Sequence, residues 1–220
     1  MIIQDTRTGE LIHLETERLR LRRCQKRVKA WADLLQLYIT NKDQYRLVMI
    51  TLTYKPGRDW KPNDIREFMQ AGRKMLEHRL LAYAWVAELQ KRGAVHYHVL
   101  MLVTKGANLP VPDSSGWWPW GMSRIETAKS AFYILSYTGK KYQKIGKFPK
   151  GLRLFAVWVS FEGVGKNIYF ALRSSAIPAW LALIVDSIGE AKYSRSPGGG
   201  WEVENLGIVR SPYKVVSIYG

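Results

Sequence analysis

The sequence predicts an α+β fold: helices packed on a central, mainly antiparallel sheet. Three observations point there. Residues 46–54, 82–90 and 94–103 are runs rich in β-branched and aromatic side chains. Residues 26–40 and 64–80 instead carry their apolar side chains at helical period. The Lys91-Arg92-Gly93 break between the second and third runs suits a short hairpin loop with glycine in the left-handed position.

In chain order, residues 26–40 place Val28, Trp31, Leu34, Leu35 and Tyr38 on one helical face. The strand 46–54 stops at Lys55-Pro56-Gly57, a turn signal, and an amphipathic helix from Asp64 to about Leu80 follows Pro62. The hairpin 82–90 and 94–103 leads into a Pro/Gly-rich loop, 105–122, that contains Trp117-Trp118-Pro119-Trp120. A second long helix is expected from Ser123, whose Ser-x-x-Glu spacing to Glu126 has the form of a capping box. Residues 152–160 read as a further strand. Beyond residue 167 the pattern predicts two short helices split near Pro178, Gly-rich turns and one or two terminal strands.

A length of 220 residues with 47% apolar content predicts one domain, 1–220, with a core of its own and excludes a disordered chain. Lys and Arg number 34 against 18 Asp and Glu, a net charge of +16, which attracts polyanions, nucleic acid foremost. The basic residues cluster in 18–27, 73–74 and 140–150. Nine Trp and twelve Tyr add aromatic faces of the kind that hold single strands. Trp117, Trp118 and Trp120 are therefore candidate base-stacking residues, with a packing plug as the equal alternative. The single cysteine, Cys24, excludes a disulfide framework and a multi-cysteine zinc site. Neither a cationic leader nor an apolar run of about 20 residues is visible, so a soluble, cytoplasmic protein without a membrane partner is expected.

The sharpest local feature is His96-Tyr97-His98, since the chain has only four histidines. Residues two apart on a strand face the same way, which aims both imidazoles at one point. A hairpin centred on Arg92 sets Glu88 directly opposite His96, at cross-strand contact distance. Two imidazoles and a carboxylate suit a divalent cation with open coordination positions. The set accepts Mn²⁺ or Mg²⁺, the expected cofactors, as well as Zn²⁺. The competing reading is a pair of ordinary sheet histidines. Downstream, Tyr133 and Tyr137 lie four apart on one face of the predicted helix, with Lys140 and Lys141 a turn further on. Ile125, Ala128, Phe132 and Leu135 form its expected packing stripe. A phenol near pKa 10 attacks at neutral pH only if a cation or metal stabilises the phenolate. Two boundary tyrosines capping a core would show the same spacing.

Taken together, three segments resemble the His-hydrophobe-His (HUH) endonucleases, especially the rolling-circle replication initiators of plasmids and single-stranded DNA phages. Met49-Ile50-Thr51-Leu52-Thr53-Tyr54 is similar to that family's Thr-Leu-Thr strand. Glu88, Gly93, His96, Tyr97 and His98 resemble its metal-binding motif, and Phe132-Tyr133 through Tyr137-Thr138-Gly139-Lys140 its tyrosine helix. The likeness covers about residues 46–160, leaving 161–220 as a C-terminal elaboration. It departs at Ser136, where relatives with paired tyrosines carry lysine. Other relatives have an acidic residue where Tyr133 stands, which favours Tyr137 as the attacker and leaves Tyr133 a second nucleophile or a neighbour.

The resemblance implies a ferredoxin/RRM-like nuclease fold. It also implies metal-assisted nicking and rejoining of single-stranded or extruded origin DNA through a 5′-phosphotyrosine link, with host helicase and polymerase as partners. Lys140 or Lys141 would lower the tyrosine pKa or grip the phosphate. A related transposase or relaxase, a non-catalytic nucleic-acid-binding module and a water-using metal hydrolase are the alternatives.

Overall fold

A computed structural model describes residues 2–13, 16–39, 43–90, 93–138, 148–160, 193–197, 201–203 and 206–217. The chain divides into two compact units, Arg20–Leu172 and Met1–Leu19 with Arg173–Gly220. The elements in chain order are β1 (Ile2–Asp5), β2 (Leu11–His13), α1 (Thr16–Tyr38), β3 (Tyr45–Tyr54), α2 (Asp64–Leu76), β4 (Leu80–Leu89), β5 (Val95–Thr104), β6 (Gly121–Ala128), a 3₁₀ helix (Ala131–Tyr137), β7 (Phe155–Val159), β8 (Tyr193–Arg195), β9 (Trp201–Val203), β10 (Gly207–Val209) and β11 (Tyr213–Ser217). The fold is α+β, as the sequence predicts.

The larger unit is built on a five-stranded sheet in the order β6-β3-β5-β4-β7, every pairing antiparallel. The smaller unit holds two three-stranded antiparallel sheets, β11-β1-β2 and β10-β9-β8. Its β1–β2 connection turns at Gly9 (φ 75°), and Asp5 is held by Arg7 at 2.6 Å.

The expected hairpin forms in the expected register, Glu88 opposite His96, with Gly93 at φ 82°. One face of the large sheet packs on α2. Leu52 and Tyr54, Trp85 and Leu89, Tyr97 and Met101 meet Ile65, Phe68, Met69 and Leu76 there. The helix ends at Leu76, short of the predicted boundary, because Glu77 turns the backbone to φ 50° and a 3₁₀ turn, Glu77–Arg79, feeds β4.

The other face packs on α1 and the 3₁₀ helix through Val28, Trp31, Ala32, Leu35, Ala131 and Ile134. Cross-strand register arranges this face in rows. The innermost is Ala128, Leu47, Leu102, Ala82 and Val159, followed by Glu126, Met49, Leu100, Ala84 and Val157. Next come Arg124, Thr51, His98, Val86 and Phe155, and last Met122, Thr53, His96 and Glu88. The two inner rows are mainly apolar and the two outer rows are largely polar.

Two expectations are overturned. Residues 123–128 do not begin a helix; they form the edge strand β6. Ser123 caps nothing there, because its hydroxyl donates to Asp113 Oδ1 and accepts from Asp113 N at 3.1 Å. The helix starts at Ala131, with the Ser130 side chain accepting from Phe132 N at 3.2 Å, and it is a 3₁₀ helix of seven residues. Its packing side is Ala131 and Ile134, and Phe132 is exposed. The helices predicted around Pro178 lie outside the described residues.

Candidate functional site

The site is the polar end of the α1 face. Alternation along β5 turns His96 and His98 to that side, and alternation along β4 turns Glu88 to it. All three side chains are buried, at 9%, 5% and 8% exposure. The Nε2 of His98 donates to Glu88 Oε2 at 2.6 Å, while Thr51 Oγ1 lies 3.3 Å from His98 Nδ1. A neutral imidazole satisfies both bonds when the Thr51 hydroxyl donates to Nδ1. On the far side Gln90 Nε2 is 3.1 Å from His96 Nδ1.

The 3₁₀ helix delivers the tyrosines to this corner. The Tyr137 ring lies flat on His98, with centroids 3.6 Å apart and planes 15° from parallel. Its hydroxyl donates to Tyr133 Oη at 3.3 Å, and the Tyr133 hydroxyl donates to Glu126 Oε1 at 3.4 Å. The two phenols meet edge to face at 5.8 Å. Glu126 also holds Arg124 at 3.2 Å. Partial burial, the bond to Tyr133 and the negative charges of Glu126 and Glu88 together raise the Tyr137 pKa above the ordinary phenol value. Tyr137 is therefore a protonated phenol at neutral pH, beside a carboxylate–imidazole pair.

Glu88, His96 and His98 fit a divalent ion by donor chemistry and by sharing one face of the sheet. Here Glu88 is bonded to His98 and His96 to Gln90, and among the described residues no group of three His, Cys, Asp or Glu side chains is gathered for a metal.

The structure thus brings Glu88, His98, Tyr137 and Tyr133 together, with His96 in the adjoining row. It takes Trp117 and Trp118 elsewhere. Trp117 stacks on Phe68 (4.3 Å, 9°) and donates to Phe68 O at 2.8 Å. Trp118 is fully buried and donates to Thr53 O at 3.2 Å, while Trp120 is partly buried with its ring 4.9 Å from that of Trp118. The base-stacking role expected of the loop fails for Trp117 and Trp118, because both rings are core of the α2 face. Lys140 and Lys141 lie outside the described residues. Thr51, Gln90 and Glu126 were given no place in the site by sequence reasoning. Thr51 was signalled by the Thr-Leu-Thr strand, whereas Glu126 was hidden by its apparent capping box.

Residues 47–142, under half of the chain, match the family model for replication-associated protein ORF2. That span runs from β3 through the tyrosine helix, so it contains every described residue of the site. No curated protein matches the chain significantly. The family match supports a replication-associated, DNA-directed role. Among the described residues no helix is long and apolar enough to cross a membrane.

Proposed function

We propose that this chain is an HUH-type initiator of rolling-circle replication, which nicks and rejoins one strand of origin DNA with Tyr137 as nucleophile. The observation that carries this reading is the Tyr137 ring stacked on His98 while His98 holds Glu88. A phenol four residues from a second phenol has no packing need to reach a buried carboxylate–imidazole pair.

Glu88, His96 and His98 would hold the divalent ion, which when bound supplies Lewis-acid polarisation of the scissile phosphate. Tyr137 Oη forms the new bond to phosphorus as the bond from phosphorus to the 3′-oxygen breaks. The phenolic proton passes to Tyr133 Oη while the Tyr133 proton passes to Glu126, along the two existing hydrogen bonds. The departing 3′-oxygen takes its proton from water and becomes the primer end for a host polymerase. Thr51 and Glu88 keep the His98 ring oriented beneath Tyr137 throughout. The ester retains the energy of the broken bond, so attack by a 3′-hydroxyl reverses the steps and rejoins the strand. Tyr133, the more exposed phenol, is positioned to serve as a second acceptor in such a transfer.

The test is incubation with labelled single-stranded origin DNA and Mn²⁺, followed by a denaturing gel. A covalent protein–DNA band that His98→Ala and Glu88→Ala both abolish is the expected result. Cleavage without a covalent band would indicate attack by water, and binding without cleavage a non-catalytic module.

A further inference from the structure

We propose that the groove between α1 and the tyrosine helix binds the sugar-phosphate backbone of the DNA strand, with Arg22, Lys26 and Lys29 as its phosphate contacts. The identity of the strand rests on the function proposed above; the groove rests on separate observations. The cluster of basic residues near the start of the chain has no role in the strand-transfer chemistry. Along α1, Arg22, Lys26 and Lys29 recur at helical spacing on one face, turned away from the buried stripe of Cys24, Val28, Trp31 and Leu35. They form one wall of a cavity of about 390 Å³ whose other wall is Leu135 and Thr138. Gln25 Nε2 donates to Thr138 O at 3.3 Å and ties the two walls together. Leu135 and Thr138 bracket Tyr137 in sequence, so the groove opens beside the proposed nucleophile.

The charge arrangement is costly for a helix with no partner. Arg22 with Lys26, and Arg23 with Arg27, are like-charged pairs four residues apart, each destabilising by about 0.2–0.5 kcal/mol. Burial first and the neighbouring Arg23 charge second pull the Arg27 pKa down. Among the described residues, only Lys29 of the groove-lining cations is shown pairing with a carboxylate, Asp33 at 2.8 Å. A row of phosphates relieves this repulsion and gains three charge-assisted contacts. An exposed chain of alternating phosphate and sugar is the ligand that a narrow, cation-walled groove with one apolar side accepts.

The experiment is fluorescence anisotropy of a labelled oligothymidine with the full chain, titrated across salt concentration. Replacing Arg22, Lys26 and Lys29 together by Gln flattens the slope of log affinity against log salt by about 2 units, near 0.7 for each lost phosphate contact on a single strand. The matched control replaces Arg66, Arg73 and Lys74, exposed on α2, and leaves the slope unchanged. An unaltered slope in the groove variant, or equal flattening in both variants, overturns the proposal. Tyr137→Phe separates the two readings, because it keeps the slope and loses the covalent band. A Tyr137→Phe protein that still forms the band refutes the nucleophile and leaves the groove standing.

Discussion

On the α2 face of the sheet, apolar side chains run the whole length of β3, β4 and β5, out to Tyr54, Leu89 and Val95. On the α1 face the same three strands are apolar only as far as Met49, Leu100 and Ala84, and then turn to Thr51, Thr53, His96, His98 and Glu88. One face is a complete core, and the other gives up half of its packing area to polar groups. The α2 face therefore carries the larger share of stability and the outer rows of the α1 face carry the chemistry. Burial alone does not separate them, since Glu88 and His98 are nearly as enclosed as Trp117. Bonding does: the polar groups satisfy one another in a chain that ends on an accessible phenol.

The comparison is broken most severely on the α2 face. Trp118→Ala removes a fully buried indole and its bond to Thr53 O, and is expected to cost about 3–5 kcal/mol by denaturant unfolding. Gly121→Ala comes next. A Cβ there would collide with Thr53 O and sit 2.6 Å from Lys55 N, both backbone atoms. It should cost about 1–3 kcal/mol by the same method, and it should weaken strand transfer by lifting the end of β6 off β3. Thr51→Ala leaves one His98 nitrogen without its partner, for about 0.5–1.5 kcal/mol, and its larger effect should fall on covalent-band yield.

The smallest effect on stability sharpens the contrast. Tyr137→Phe should change stability by less than about 0.5 kcal/mol, because the hydroxyl it deletes is exposed and makes one long bond. The sign of its pH dependence is fixed by the raised pKa. The folded protein favours the neutral phenol, so this contribution is complete below pH 10 and is lost as the pH climbs beyond it. In metal-free protein, the phenolate absorbance difference between wild type and Tyr137→Phe should therefore emerge only above pH 10. Emergence near neutrality would mean that the carboxylates around the phenol do not act on it as the geometry requires.

Much of this architecture was legible in the residues. The alternation in β3, β4 and β5 and the glycine at position 93 fixed the hairpin, and the hairpin fixed Glu88 opposite His96. The half-exposed edge strand β6 was misread, because Ser123 and Glu126 happen to match a capping box and an edge strand has only one buried neighbour to impose alternation. The tyrosine pairing survived that error, since the 3₁₀ helix still brings Tyr133 and Tyr137 together. The stacking of Tyr137 on His98 was beyond local patterning, as it depends on where the chain emerges from β6. The tryptophan loop offered two readings, and the cleft beside Phe68 decided for packing at Trp117.

The most direct test is mass spectrometry of the covalent protein–DNA adduct after proteolysis and nuclease trimming. The account predicts a nucleotide mass on the phenol of Tyr137 in the wild-type protein and its disappearance in Tyr137→Phe. A nucleotide on a residue outside the tyrosine helix, or an adduct that persists when Tyr133 and Tyr137 are both phenylalanine, would contradict it.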